Sequence, residues 1–175
     1  MIHFLDFDRT LFNTDAFKEY LAVRENDSRI TEEPEIDVGK SLDEQVQRGE
    51  LSFAPGELVP FIYPDVPEFL RQLGNEAIII TFGNTALQQL KVTNALAGSV
   101  RVTALYTGDV LKGEFLKKWP GYYGQEAFFV DDRVHELEIM STLFPAMRTF
   151  EMRRDGAPGD GRWYVVHSLS DLPAV

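Results

Sequence analysis

Two short acidic motifs, each directly after an apolar run, are the residues best suited to do chemistry. The first run ends in Asp6, which is followed at alternate positions by Asp8 and Thr10. The second run ends in the adjacent pair Asp131 and Asp132. Carboxylates can serve as nucleophiles, as general acids or bases, and as ligands of a divalent cation. The two motifs therefore define a candidate site.

Electrostatics predicts a metal ion at such a site. Two ionised carboxylates about 4 Å apart repel each other by roughly 4 kcal/mol at an effective dielectric constant of about 20. Three or four of them cannot share a crevice without compensating positive charge. Hard oxygen ligands that leave positions open for water and phosphate suit Mg²⁺. We therefore expect Mg²⁺ as the cofactor.

The elements around these motifs alternate between strands and helices. This alternation predicts an α/β fold, a Rossmann-like three-layer sandwich with a central parallel sheet. The strands that end at Asp6, Thr81 and Val130 would open onto one crevice, since open α/β sheets bind ligands at the carboxyl ends of their strands. Lys112 precedes a short predicted helix, and we place it in that crevice. The other lysines considered are Lys91, Lys117 and Lys118.

Residues 14–62 are predicted to be an insertion that forms a small helical cap, while residues 1–13 and 63–175 form the core. Within the insertion, we expect a helix over residues 15–21 and a polar loop over residues 25–37. The spacing from Ser41 to Glu44 is that of a capping box and predicts a second helix that starts there.

The motifs resemble those of the haloacid dehalogenase-like hydrolase superfamily. Four short motifs of that family occur in this order, and here they are matched by Asp6-x-Asp8-x-Thr10, Thr81, Lys112 and Asp131-Asp132. Arg9 is a departure, because the position is often Gly in the family. An acid two residues after the nucleophile is typical of the phosphatase branch and is lacking in the dehalogenases.

The resemblance implies a role for each of these residues. Asp6 would be the nucleophile that forms an aspartyl-phosphate, and Asp8 would be the general acid and then the general base. Thr10 and Thr81 would bind phosphate, and Lys112 would neutralise the phosphoryl oxygens. Asp132 would bind Mg²⁺ together with Asp6 and the carbonyl of Asp8. Asp131 would support this metal shell from behind.

The resemblance thus predicts a Mg²⁺-dependent phosphomonoesterase. A phosphotransferase or phosphomutase on the same scaffold is one alternative, because the sequence does not say whether water or a second hydroxyl accepts the phosphoryl group. A phosphorylation-dependent signalling or binding module is another. In signalling receivers, however, the acidic pair lies on the first strand and the phosphorylated Asp on a later one, whereas here the candidate nucleophile comes first.

Composition limits the further possibilities. A chain of 175 residues with 44% hydrophobic residues is long enough for one domain with a substantial core. The net charge of −11 argues against general nucleic-acid binding, and no apolar stretch approaches the roughly 20 residues that cross a bilayer. There is no cysteine and no basic leader, so we expect a cytoplasmic protein. The expected partner is a small phosphorylated substrate, and the oligomeric state is left open.

Overall fold

A computed structural model describes residues 1–98, 101–122 and 124–173. Its centre is a six-stranded sheet with the strand order β3-β2-β1-β4-β5-β6, in which every neighbouring pair is parallel. The strands are β1 (Ile2–Leu5), β2 (Ala77–Thr81), β3 (Thr103–Tyr106), β4 (Ala127–Asp131), β5 (Arg148–Met152) and β6 (Tyr164–Val166). The predicted parallel sheet is confirmed.

Helices cover both faces of this sheet, which confirms the three-layer arrangement. They are α1 (Thr14–Glu25), α2 (Arg29–Glu32), α3 (Glu35–Gln47), α4 (Val66–Leu73), α5 (Thr85–Ala95), α6 (Lys112–Lys118) and α7 (Val134–Leu143). Successive strand residues enter different cores, because side chains alternate along a strand. Leu5 and Ile79 pack in one hydrophobic cluster, whereas Phe4 and Ile80 pack in the other.

The register of the central strands brings the two acidic motifs together. Leu5 lies beside Ile79 of β2 and beside Val130 of β4. The backbone N–H of Asp6 donates to the carbonyl of Val130 at 2.9 Å. Asp6 is therefore level with the end of β4, where Asp131 is the last residue of the strand and Asp132 follows it.

Residues 14–62 hold α1, α2, α3 and a 3₁₀ turn at Val59–Phe61. The predicted loop over residues 25–37 is wrong, because α2 lies within it and α3 begins at Glu35. The predicted start at Ser41 is also wrong. Val38 and Leu42 are both buried one turn apart, so this apolar face carries the helix through Ser41, and the local capping pattern is overridden.

The division into a core and a cap stays a prediction. Ile30, Val38, Leu42 and Leu51 of the insertion belong to the same hydrophobic cluster as Leu5 of β1. The insertion thus shares one hydrophobic core with the sheet. Within the described residues, no helix has the length and apolar character required to cross a membrane.

Candidate active site

The residues after β1 form a tight loop in which Asp6 and Asp8 have different hydrogen-bond partners. The N–H groups of Leu11 and Phe12 both donate to the carbonyl of Phe7 at 2.9 Å, and the N–H of Arg9 donates to the carbonyl of Phe12 at 2.8 Å. Arg9 has a φ of 55°, in the left-handed region that Gly adopts most easily. Its guanidinium binds Asp15 at 2.8 Å. This backbone conformation explains why Gly would suit the position.

Three carboxylates converge at the ends of β1 and β4. Asp6, Asp131 and Asp132 each offer an oxygen, and these oxygens all lie within 4.8 Å of one another. Asp6 is 4% exposed and Asp131 is fully buried. The Oδ2 atom of Asp6 is buried and has no hydrogen-bond partner among the described residues. An all-oxygen cluster with an unpaired buried oxygen fits a hard divalent cation such as Mg²⁺.

Lys112 is the lysine that meets this acid cluster. It is fully buried at the start of α6, and its Nζ atom donates to Asp6 and, at 2.6 Å, to Asp131. The backbone N–H of Lys112 donates to the buried carboxylate of Glu136 on α7 at 3.0 Å, which fixes the start of α6. Lys117 and Lys118 lie in the exposed last turn of the same helix.

The three clustered carboxylates carry more negative charge than Lys112 balances, and this imbalance shifts the pKa values of the site. Burial raises the pKa of the Asp6 carboxyl, and Lys112 offsets only part of the increase. Burial, together with the Asp6 carboxylate, raises the pKa of Asp132 to about 7. The pKa of Lys112 is raised because Asp131 and Asp6 outweigh its burial. Added cationic charge would therefore stabilise the ionised site.

The Asp8 carboxylate is not one of the three clustered acids and has its own set of donors. Lys91 Nζ binds Oδ1, the Thr14 hydroxyl donates to Oδ1 at 2.5 Å, and Gln88 Nε2 donates to Oδ2 at 2.8 Å. Although burial opposes it, the ion pair with Lys91 and these hydrogen bonds lower the pKa of Asp8. Any metal contact from Asp8 would come from its carbonyl, as the resemblance implies.

Thr10 and Thr81 are buried close to the strand ends. Each is at most 1% exposed, and neither hydroxyl has a hydrogen-bond partner among the described residues. Neither side chain lines the cavity at the site. The carbonyl of Thr10 accepts two hydrogen bonds from Arg154, at 2.7 and 3.1 Å. Phosphate binding by the two threonines stays a prediction.

A cavity of about 360 Å³ lies between the strand ends and the insertion. Asp6, Asp8, Lys112 and Asp132 form its polar base. Its remaining walls combine apolar side chains from the insertion and α5 with several cationic side chains. These are Phe17, Val38, Leu42, Phe82 and Leu87, with Arg9, Lys18, Lys91 and Arg133. The site is thus a pocket that could hold a small organic anion.

Sequence reasoning missed the polar contacts that α5 and α3 make at this site. The sequence indicates Lys91 only as an alternative to Lys112 and indicates no role for Gln88. A signal was present, because Lys91 lies four residues after Leu87 and therefore on the same buried helix face. Asp43 of α3 lies within the predicted capping box from Ser41 to Glu44, but its carboxylate accepts the N–H of Leu87 at 2.8 Å.

Comparison with known proteins gives a result for the fold only. The sequence matches neither a model of a known protein family nor a curated protein. Its fold is similar to that of a solved structure described as a haloacid dehalogenase-like hydrolase from Burkholderia xenovorans, with TM-score 0.69, 18% identity and coverage of 97% of this chain and 95% of that chain. A second solved structure, described as a dehalogenase with an intermediate complex, gives a TM-score of 0.67 at 15% identity, with 97% of this chain and 94% of that chain covered.

A third solved structure, the UTR4 protein of Saccharomyces cerevisiae, gives a TM-score of 0.56 at 14% identity, with 98% of this chain and 99% of that chain covered. At these identities the similarity establishes the fold and leaves the activity open. The predicted haloacid dehalogenase-like fold is therefore confirmed.

Proposed function

We propose that this chain, whose fold is that of the haloacid dehalogenase-like hydrolases, is a Mg²⁺-dependent phosphohydrolase that acts on small phosphate monoesters. The observation that carries the proposal is the contact of Lys112 with Asp6 beside the carboxylate of Asp132. A candidate nucleophile, a buried cation and oxygens that could bind a metal thus lie together at the carboxyl ends of the strands.

In the first step, an oxygen of the Asp6 carboxylate attacks phosphorus and the bond from phosphorus to the leaving oxygen breaks. Asp8 enters this step protonated and gives its proton to the leaving oxygen, so that Asp6 becomes an aspartyl-phosphate and Asp8 a carboxylate. In the second step, Asp8 accepts a proton from water as the water oxygen attacks phosphorus. The bond from Asp6 to phosphorus breaks, phosphate departs, and both acids return to their starting state.

Lys112 supports the first step by bringing positive charge to an anionic nucleophile that meets an anionic phosphoryl group. Because it is fully buried and held by two carboxylates, it needs no rearrangement to reach Asp6. Thr10 and Thr81 are proposed to bind the phosphoryl oxygens, since their buried hydroxyls have no other partner among the described residues.

Asp6, Asp132 and the carbonyl of Asp8 would hold Mg²⁺, with Asp131 behind them. When bound, the ion supplies positive charge to the phosphoryl oxygens and to the acid cluster. Asp131 is already occupied by Lys112 and by the N–H of Arg133 at 2.9 Å, which suits a supporting position.

The cavity supports a small-molecule substrate. Its volume of about 360 Å³ is at the lower end of the range for small-molecule sites, which is roughly 300–1,000 Å³. The apolar walls would contact the organic part of the substrate, and Arg9, Lys18 and Arg133 would attract its negative charge.

The direct test is Mg²⁺-dependent release of phosphate from an aryl phosphate by the purified protein. We expect the activity to disappear in Asp6→Asn and in EDTA, and to persist in Asp109→Asn, which changes an exposed aspartate outside the cavity. Phosphate release by Asp6→Asn at the wild-type rate would contradict the proposal.

Hydrolytic dehalogenation is a second candidate, favoured by the observation that the Asp8 carboxylate is already bound by Lys91, Thr14 and Gln88. A halide leaves without a proton, so that reaction needs no acid at this position. Asp6 would attack carbon and release halide, and water would then hydrolyse the ester at the Asp6 carbonyl. In heavy-oxygen water, a single turnover would label Asp6 in dehalogenation and label the released phosphate in phosphate hydrolysis.

A further inference from the structure

The Asp8 carboxylate is held from two helices that approach it from different parts of the chain. Thr14 begins α1 of the insertion, whereas Gln88 and Lys91 lie one turn apart on α5. Lys91 and Thr14 bind Oδ1, and Gln88 binds Oδ2. The orientation of the carboxylate is therefore set jointly by α1 and α5, which are distant in sequence.

Lys91 cannot move freely away from Asp8. It is 4% exposed, and its Nζ atom lies 5.3 Å from the ring centroid of Phe12, 5.7 Å from Phe7 and 5.9 Å from Phe17. A buried ammonium requires an anionic partner, and aromatic faces add a favourable cation–π interaction. Phe7 and Phe12 belong to the same loop as Asp8, so the lysine contacts that loop through both its ion pair and two aromatic rings.

A count of acceptor sites shows what this arrangement does to Asp8. A carboxylate offers about four lone-pair sites, two on each oxygen. The two sites of Oδ1 are taken by Lys91 and Thr14, and one site of Oδ2 is taken by Gln88. One site on Oδ2 is left, and it can hold the proton that Asp8 gives to the leaving oxygen and later accept a proton from water. Asp8 lines the cavity, so this site is available there.

We propose that Lys91 is a positioning residue for Asp8, which fixes the carboxylate so that its remaining Oδ2 site meets the leaving oxygen and then the attacking water. The proposal rests on the proposed function for the reaction that Asp8 performs. Lys91 itself does not touch the substrate in this account. Its effect on the reaction passes entirely through the orientation of Asp8.

The kinetic test is Lys91→Met, which keeps the length of the side chain and removes the ammonium. We expect kcat to fall by roughly 10- to 100-fold with little change in KM, because misplacing a catalytic group acts on the reaction rather than on binding. In an Asp8→Asn background, the same substitution should cause no further loss. Losses that multiply in the double variant would overturn the proposal, as would an unchanged kcat in the single variant.

A matched control separates positioning from stability. Asn94 lies one turn beyond Lys91 on α5, is also buried, and bonds the N–H of Leu58 and the carbonyl of Ala54. Asn94→Ala should lower the unfolding free energy and leave kcat unchanged. A fall in kcat that matches the one in Lys91→Met would show that the effect is one of stability and would overturn the proposal.

Two further measurements keep the proposal testable if Lys91→Met does not fold or if no phosphate ester is hydrolysed. Thr14→Val, which is nearly isosteric, removes another donor to Asp8 Oδ1 and should show the same non-additivity with Asp8→Asn. Crystal structures of the wild type and of Lys91→Met or Thr14→Val should show a different Asp8 orientation in the variant. An unchanged carboxylate would overturn the proposal, whereas a wild type without phosphatase activity would refute the proposed function alone.

Discussion

A single residue separates Asp6 from Asp8, yet each is bound by a different buried lysine. Lys112 binds Asp6 and Asp131, whereas Lys91 binds Asp8. Each lysine is less than 5% exposed, so both charges depend on their carboxylate partners. The two acids thus have different environments. Burial raises the pKa of Asp6, whereas at Asp8 burial is outweighed by Lys91, Thr14 and Gln88, which lower the pKa.

The charge of Asp132 is predicted to reduce the stability of the metal-free protein at neutral and higher pH. Its folded pKa of about 7 is raised above the ordinary 3.8, so the stability that it contributes is present at low pH and is lost as the pH rises through 7. We expect Asp132→Asn in EDTA to raise the unfolding free energy by about 2 kcal/mol at pH 8. The difference should shrink towards zero near pH 4.

Urea unfolding at the two pH values measures this effect. Asp109→Asn is the control, because it removes an exposed carboxylate that does not line the cavity, and it should change stability by less than about 0.5 kcal/mol at both pH values. An Asp132 variant that is less stable than the wild type at pH 8 would contradict the account. Mg²⁺ should stabilise the wild type and not this variant.

At the scale of elements, the site depends on how α3 of the insertion packs against the beginning of α5. Asp43 is 8% exposed, and its carboxylate accepts the N–H of Leu87 in the first turn of α5 at 2.8 Å. A carboxylate at a helix N-terminus binds an otherwise unpaired N–H and interacts favourably with the helix dipole. Here the capping group comes from a different helix, so the contact also holds the insertion over the cavity.

Asp43→Ala is therefore expected to lower the unfolding free energy by about 1–2 kcal/mol, because it removes a buried cap. The neighbouring Glu44 is exposed on the same helix, and Glu44→Ala should cost less than about 0.5 kcal/mol. Chemical denaturation measures both values. Equal effects of the two substitutions would show that the contact with Leu87 contributes nothing.

The sequence predicted elements well where hydrophobic periodicity and helix-ending residues agree. The helix that precedes β2 runs from Val66 to Leu73, as the position of Asp65 before it and of Gly74 after it indicates. The prediction failed for α3, where a local capping pattern competed with the burial of Val38 and Leu42. Tertiary packing decided that competition, and packing cannot be read from four residues.

At the scale of the whole molecule, Arg154 connects three segments that are distant in sequence. Its guanidinium donates to the carbonyl of Thr10 in the loop that follows β1, to Asp65 before α4 at 2.9 Å, and to the carbonyl of His167 at 3.4 Å. Although burial opposes it, the hydrogen bond from Arg154 and other donors lower the pKa of Asp65. The C-terminal part of the chain thereby stabilises the loop that carries Asp6 and Asp8.

Arg154→Met is expected to lower the unfolding free energy by about 2–3 kcal/mol, since it removes the cationic partner of the part-buried Asp65 carboxylate and two hydrogen bonds to the carbonyl of Thr10. Asp65 then keeps the hydroxyl of Ser168 and the N–H of Leu169 as donors. The control is Arg162→Met. Arg162 is about half exposed, with a side-chain exposure of 52%, and its ion pairs with Asp160 and Glu138 should contribute less than about 1 kcal/mol. Thermal or urea unfolding would contradict the account if both variants lost the same stability.

Long-range contacts of this kind mark the limit of what the sequence could predict. Strand order and the meeting of Asp6 with the 131–132 pair follow from general rules for parallel sheets. The partners of Asp8 and of Thr10 do not, because no local pattern specifies that Lys91 or Arg154 reaches them. Such pairings depend on the packing of whole helices and loops, which a single sequence encodes only collectively.

The central claim is that Asp6 becomes covalently phosphorylated during turnover. The most direct measurement is rapid acid quenching of the protein with a phosphate ester and Mg²⁺, followed by peptide mass spectrometry of the N-terminal segment. The account predicts one added phosphoryl group on Asp6, absent in EDTA and in Asp6→Asn. Phosphate release with no phosphoryl group on Asp6, or with the group on another residue, would contradict it.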